Sequence, residues 1–351
     1  MLALRPARTL AALTVLTLAG CSSSPTEGPD APPPAPSSST ETPTPSESAT
    51  PEPEPPDPIS VAALSQADLT GGGLRLGAVR ERTAGFTSYD VTFASTTSGA
   101  GSPPLRISGV LDVPTGPGPF PAVVLAHGYI DPAFYVRGQG MTRERGYLAA
   151  RGYVALHVDY RNHAESDDDP LVQARMRLGY SADVINAVKA LRRSPDVPVD
   201  GDRVALFGRS MGGGVILKAL VAEPGLVQAA APWASVSSLE ADNFGQFMQD
   251  PEDTGVRADL ERRHGTPAQN PLFWRENSSR PYFERITEPV LMVHGRADDT
   301  CPPPWATATQ RALVEAGVDS RLEWYDDGHA FGSAFGAAMA RTVRFFDRRL
   351  G

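Results

Sequence analysis

Cysteine is nearly missing from this chain: its 351 residues include two, Cys21 and Cys301. With Cys21 close to the N-terminus, no disulfide can form within a folded domain, so that domain must be held by its own core. Long apolar runs are missing too, and the stretch from Leu10 to Leu18 is too short to span a bilayer. Lys and Arg are scattered rather than clustered, which removes the basic face that nucleic acid requires. Residues Ser22 to Pro58 contain no Lys, Arg, aromatic residue, Val, Ile, Leu or Met, yet hold 13 of the 34 prolines. Such a stretch cannot bury enough apolar surface to fold. It also carries Glu27, Asp30, Glu41, Glu47, Glu52, Glu54 and Asp57, so most of the net charge of −9 sits there and the remainder is nearly balanced.

The first twenty residues have the layout of a secretory signal, with Arg5 and Arg8, then the apolar run, then Ala19, Gly20 and Cys21. Leu18-Ala19-Gly20-Cys21 resembles the bacterial lipobox. That resemblance implies cleavage before Cys21, lipidation of Cys21 and a membrane anchor in the cell envelope. The expected organisation is a signal over 1–20, a lipidated Cys and tether over 21–58, and one catalytic domain over 59–351. At ~3 Å per residue the tether reaches up to ~100 Å.

Within 59–351, Ser88 to Ala94 and Leu105 to Val113 read as opening antiparallel strands. Short apolar runs then alternate with helical stretches. The strands are Ala122 to Ala126, Val154 to Val158, Val204 to Phe207, Ala229 to Trp233, Val290 to His294 and Leu322 to Tyr325. The helices are Thr142 to Arg151, Ala182 to Arg193, Val215 to Ala222, one after Pro304, and Ala334 to Arg349. This rhythm predicts an α/β fold, a mostly parallel sheet with helices on both faces. Residues 235–285 interrupt it, an irregular insertion rich in aromatics that either shapes a substrate pocket or packs on itself.

Gly208-Arg209-Ser210-Met211-Gly212 follows a strand and precedes a helix that is expected to begin near Gly213. A sharp strand-to-helix turn exposes the Ser oxygen, and the flanking glycines relieve the crowding. A serine hydroxyl needs a base and an orienting carboxylate, in the chain order Ser, acid, His. His264, His294 and His329 follow Ser210; His329 lies in the Gly-containing loop between the last strand and the last helix, where the base belongs. The acid is expected after the strand Val290 to His294, where Asp298 and Asp299 are adjacent candidates. Asp326 and Asp327 stand too close to His329 in sequence to be first choices. An oxyanion needs two N–H donors, assigned to Met211 and to Tyr129 in His127-Gly128-Tyr129. His127 is read as a loop brace. The cluster from Asp159 to Ser166 shows no metal-ligand spacing and is read as solvated, and Cys301 as a buried apolar filler.

These residues resemble the catalytic domain of the prolyl oligopeptidase family and the related dienelactone hydrolase-like and acetyl esterase-like hydrolases. The resemblance rests on His127-Gly128-Tyr129, Asp159-Tyr160-Arg161, Gly208 to Gly213, His294 to Asp299 with Pro302, and Gly328-His329-Ala330-Phe331, and it covers about residues 105–350. It implies the α/β-hydrolase fold, selects Asp298 as the acid, and implies acyl transfer to water with no cofactor or metal. The substrate would be a short peptide or a small ester. Residues 59–118 are too short for the propeller that prolyl oligopeptidases carry, at ~40 residues per blade, so gating by a propeller is not inherited. Carboxylesterase or deacetylase action is the alternative, and a non-catalytic envelope binding lipoprotein the remote one.

Overall fold

Ala122, Val124 and Ala126 point to one side of a sheet and Val123 and Leu125 to the other, and all five are fully buried. A strand apolar on both faces must be covered on both. In the computed structural model, which describes residues 56–96, 103–248 and 254–351, helices supply both covers. The expectations placed on residues 1–55, Cys21 among them, lie outside the described residues.

The sheet is built from β1 (Gly72–Arg82), β2 (Phe86–Ser95), β3 (Leu105–Pro114), β4 (Phe120–Ala126), β5 (Val154–Val158), β6 (Val199–Arg209), β7 (Ala229–Trp233), β8 (Val290–Gly295) and β9 (Ser320–Tyr325). Among the described residues these nine strands lie in the order β1-β2-β3-β5-β4-β6-β7-β8-β9. Antiparallel pairing runs from β1 through β2 and β3 to β5, and every pairing from β5 to β9 is parallel. The chain therefore crosses over after β4, and the loops after β4 and β6 leave the same end of the sheet side by side.

Helices α1 (Val61–Gln66), α3 (Leu178–Arg192), α4 (Met211–Ala222) and α8 (Pro303–Glu315) cover one face, and α2 (Thr142–Ala149) and α9 (Phe335–Leu350) cover the other. The expected stripe of α3, Val184, Ala187, Val188 and Leu191, is wholly buried against the sheet. That many fully buried aliphatic side chains, at ~1.5–3 kcal/mol each, make the core sufficient without a disulfide.

Two elements were not anticipated. Strand β1, GGLRLGAVRER, is mostly exposed and pairs with β2 through repeated register shifts. It lacks the alternation that marks a half-buried strand because it is an edge held by backbone pairing. Helix α1 is a short turn capped by the Ser60 hydroxyl on the Ala63 N–H at 3.0 Å, with Val61 buried.

The stretch between β7 and β8 is more ordered than its sequence suggests. It contains α5 (Glu240–Phe247), α6 (Thr254–His264), α7 (Pro271–Glu276) and a 3-10 turn over Arg280–Arg285. Phe244, Leu260, Phe273 and Trp274 form a small core together with Met176 from the loop before α3, with the Phe244 and Trp274 rings 4.6 Å apart. No helix among the described residues is long and apolar enough to cross a membrane.

Candidate active site

Strand β6 ends at Arg209 and α4 begins at Met211, so Ser210 alone makes the turn. Helix α4 therefore starts two residues earlier than the sequence suggested. The reversal holds Ser210 at φ 57° and ψ −123°, a conformation that a residue with a side chain rarely adopts. Its N–H donates to the Trp233 carbonyl at 2.9 Å, and its own carbonyl accepts from Gly213 N at 2.9 Å and Val236 N at 3.2 Å. These bonds to β7 and the loop beyond it hold the strained turn. Space is equally tight: a Cβ on Gly212 would lie 1.9 Å from the Ala126 carbonyl oxygen. Only glycine lets the elbow pack onto the end of β4. Met211 opens α4, so its N–H has no intrahelical acceptor.

The loop after β4 reaches the same place. A Cβ on Gly128 would sit 3.1 Å from the Cβ of Ser210, which brings the backbone next to Tyr129 beside the Ser210 side chain. Tyr129 is half exposed and the Arg177 guanidinium lies 5.0 Å from its ring centre. His127 is buried, with its ring nitrogens 2.6 Å from the Gly128 carbonyl oxygen and 3.2 Å from that of Asp159. Burial, with neighbouring His157 and His163, outweighs both carbonyls and pushes its pKa down to about 3. It braces the loop as a neutral ring.

The reading of Asp159 to Ser166 as solvated is corrected by the structure: Asp159, Tyr160, Arg161 and His163 are buried. Asp159 accepts from Ser108 Oγ at 2.6 Å, the Tyr135 hydroxyl at 2.7 Å and Gly138 N at 2.8 Å. Burial raises its pKa, but the charge-favouring contacts with His157, Ser108 and Tyr135 win and hold it at about 2. Arg161 forms ion pairs with Asp169 and Asp183, both at 2.9 Å. Sequence reasoning missed this because Ser108 on β3, Tyr135 in the loop after β4 and Asp183 on α3 lie far from these residues in the chain. Among the described residues no group of three or more His, Cys, Asp and Glu is arranged to hold a metal ion.

His329 Nδ1 lies 3.0 Å from Asp298 Oδ1 and 2.9 Å from Oδ2. Asp298 is almost wholly buried and also accepts from the backbone N–H groups of Thr300 at 3.0 Å and Cys301 at 2.8 Å. Burial disfavours its charge, but the hydrogen bonds from His329 and Cys301 and the nearby His294 outweigh that and lower its pKa. Asp299 is exposed and accepts from its neighbour Thr300 at 3.4 Å. Asp327 shapes the His329 loop, accepting from Gly328 N at 2.9 Å and Ala334 N at 2.7 Å. A proton on Nδ1 directed at the carboxylate leaves Nε2 as the basic nitrogen.

Cys301 is fully buried, as expected, but it is not remote from the chemistry: its thiol lies beside the Ser210 side chain. Burial and the Asp298 charge push the thiol up to about 12, partly offset by Ser210, so it stays a neutral thiol packed beside the nucleophile candidate.

Gly128, Tyr129, Ser210, Met211 and His329 open onto one cavity of about 830 Å³. Its far wall is Phe244, Phe247, Leu260 and Trp274, so the insertion both packs on itself and lines the cavity. Arg143 also braces the site unforeseen, donating to the carbonyls of Ala330 at 2.9 Å and Phe331 at 3.2 Å. Nothing in the local pattern of α2 marks it.

Comparison with known proteins places this geometry. The chain is 30% identical over 188 residues to the Bos taurus prolyl endopeptidase FAP, covering 52% of this chain and 23% of that protein. It is 26% identical over 213 residues to the esterase EstD of Thermotoga maritima, covering 55% and 50% respectively. The chain thus spans half or less of the length of these relatives. Solved structures share the fold. The Pyrococcus horikoshii acylaminoacyl peptidase matches with TM-score 0.60 at 21% identity, over 77% of this chain and 42% of that one. The acetyl xylan esterase of Paenibacillus sp. R4 matches with TM-score 0.62 at 22% identity, over 82% and 92%. The sheet is that of an α/β-hydrolase, and the profile of the prolyl oligopeptidase family matches residues 140–351, more than half of the chain, so the chain belongs to the prolyl oligopeptidase family.

Proposed function

We propose that this protein is a serine hydrolase that cleaves an ester or amide bond through an acyl-enzyme, with a short peptide or small ester as substrate. One observation carries the reading: Ser210, at a left-handed elbow, shares a cavity with His329, whose other ring nitrogen is held by a buried carboxylate. Ser210 Oγ attacks the carbonyl carbon while His329 Nε2 takes the hydroxyl proton. The oxyanion is met by the N–H groups of Met211 and Tyr129. Collapse expels the alcohol or amine, which receives the proton from His329, and the acyl group stays on Ser210. Water then attacks the ester, giving its proton to His329, and Ser210 leaves with that proton. Asp298 fixes the ring and offsets its transient charge. No step draws on a metal or cofactor.

The membership of the prolyl oligopeptidase family favours peptide-type amides; the likeness to the esterase EstD supports small esters as the second reading. The test compares kcat/KM for short acyl esters and for aminoacyl or peptidyl amides, with Ser210→Ala as the blank and fluorophosphonate labelling as the count of active sites. Ser210→Ala should lose label and reduce kcat by roughly 10⁴-fold or more; a variant that keeps its activity refutes the assignment. Efficient amide cleavage selects the peptidase reading, and ester cleavage alone the esterase reading. The lipid anchor at Cys21 is part of the proposal, supported by Leu18-Ala19-Gly20-Cys21; a Cys21→Ala protein that still fractionates with membranes would remove it.

A further inference from the structure

We propose that the cavity selects substrates bearing a carboxylate, and that Arg177 binds that carboxylate; this rests on the hydrolase reading above. Among the described residues the charged side chains that face the cavity are Arg177, Arg209, Lys218 and Glu240. Lys218 and Glu240 neutralise each other at 2.8 Å. Arg209 lies 3.6 Å from Glu144 and donates to the Gly140 carbonyl at 3.0 Å. Arg177 differs from them. Its Nε donates to Gln173 at 2.7 Å, one Nη lies 3.8 Å from the Met211 sulfur, and its guanidinium lies over the Tyr129 ring. Those contacts fix its direction and supply no negative charge. Among the described residues Arg177 has no carboxylate partner, although the chain as a whole is acidic.

The backbone adds a second observation. Met176 and Arg177 sit at φ 53° and 55°, two successive left-handed residues with side chains, and both line the cavity. Strain of this kind persists where the surroundings enforce it, and it concentrates at binding sites. The planar guanidinium fork matches a carboxylate in two parallel hydrogen bonds. Its contacts with the Met211 sulfur and the Tyr129 ring put the bound anion beside the two residues whose N–H groups are the candidate oxyanion donors. Among the described residues a substrate cation finds no equivalent, since Glu240 is already paired.

The experiment uses the purified full chain and two pairs of esters, each rate normalised to hydrolysis by hydroxide. The mono-4-methylumbelliferyl ester of adipic acid is compared with 4-methylumbelliferyl hexanoate, placing the charge in the acyl part. Then 4-acetoxybenzoate is compared with phenyl acetate, placing it in the leaving group. In at least one pair the anion should be preferred by about tenfold or more in kcat/KM, chiefly through KM. That preference should collapse in Arg177→Gln. If Arg177→Gln does not fold, the wild-type preference is followed from roughly 20 mM to 0.5 M NaCl, where screening should erode it. Equal use of anionic and neutral esters in both pairs overturns the proposal, as does a preference that survives in folded Arg177→Gln or is indifferent to salt. Absence of both turnover and fluorophosphonate labelling overturns the hydrolase reading itself, whereas labelling with no anion preference removes only the role of Arg177.

Discussion

Arg143, on α2, donates to the carbonyl of Ala330, the residue directly after His329, at 2.9 Å. A second bond to Phe331 and a guanidinium 4.2 Å from the Phe335 ring centre complete a clamp on the loop that carries His329. Glu144 extends the brace, lying 3.5 Å from Arg143 and 3.6 Å from Arg209, the residue before Ser210. One buried carboxylate thus connects the supports of the candidate base and nucleophile.

Replacing Arg143 by Ala removes both carbonyl contacts without touching the reacting atoms. Small displacements of an aligned base are expensive, so kcat should fall roughly 10- to 100-fold, with a smaller change in KM. Steady-state kinetics on one ester checks this. A kcat equal to that of the wild type would show that the loop is held by Asp327 and Asp298 alone.

The elbow conformation makes a second prediction. Ser210 sits at φ 57° against bonds from β7 and α4, and glycine would adopt the same backbone without a side chain to crowd it. Ser210→Gly should therefore abolish activity yet raise stability by about 1 kcal/mol. Urea unfolding of the two proteins measures the difference. A destabilised Ser210→Gly would mean that the serine side chain contributes more to packing than its backbone costs.

Acid should begin to destabilise the fold near pH 6, where histidines rather than ordinary carboxylates titrate. His127 is neutral in the folded chain down to about pH 3, against an ordinary value of 6.5. Between those values the unfolded chain binds a proton that the folded chain refuses, so the stability is complete above pH 6.5 and falls as pH drops. Burial lowers His163 and His294 in the same direction. Below 3.8 the depressed carboxyls of Asp159 and Asp298 add to the loss. The loss from His127 alone is on the order of 3 kcal/mol by about pH 4. Urea midpoints at pH 7 and pH 4.5 should differ less in His127→Asn than in the wild type. An unchanged difference would assign the acid sensitivity to the other histidines.

Much of this protein was legible one element at a time. Periodicity located β2 to β9, α2 to α4, α8 and α9, because a strand buried on both faces and a helix with one apolar stripe write their burial into adjacent residues. Ser210 was legible from its glycines, and His329 from the loop that carries it. Asp298 and Asp299 could not be separated by local pattern alone, since both follow β8; the resemblance pointed to Asp298, the carboxylate that reaches His329 Nδ1 in the structure.

Only the tertiary structure decided the rest. The edge strand β1 is held by pairing rather than burial, so no alternation announced it. The buried network of Asp159, Arg161 and His163 looked solvated because a row of charged residues reads as polar until its partners are known, and those partners, among them Ser108, Tyr135 and Asp183, are distant in sequence. Arg177 came to the cavity, Arg143 to the loop that carries His329 and Cys301 to the side of Ser210 in the same way. Local composition determines which segments become strands, helices and turns, whereas a site is made where segments far apart in the chain meet, and their mutual positions are settled by packing on both faces of one sheet.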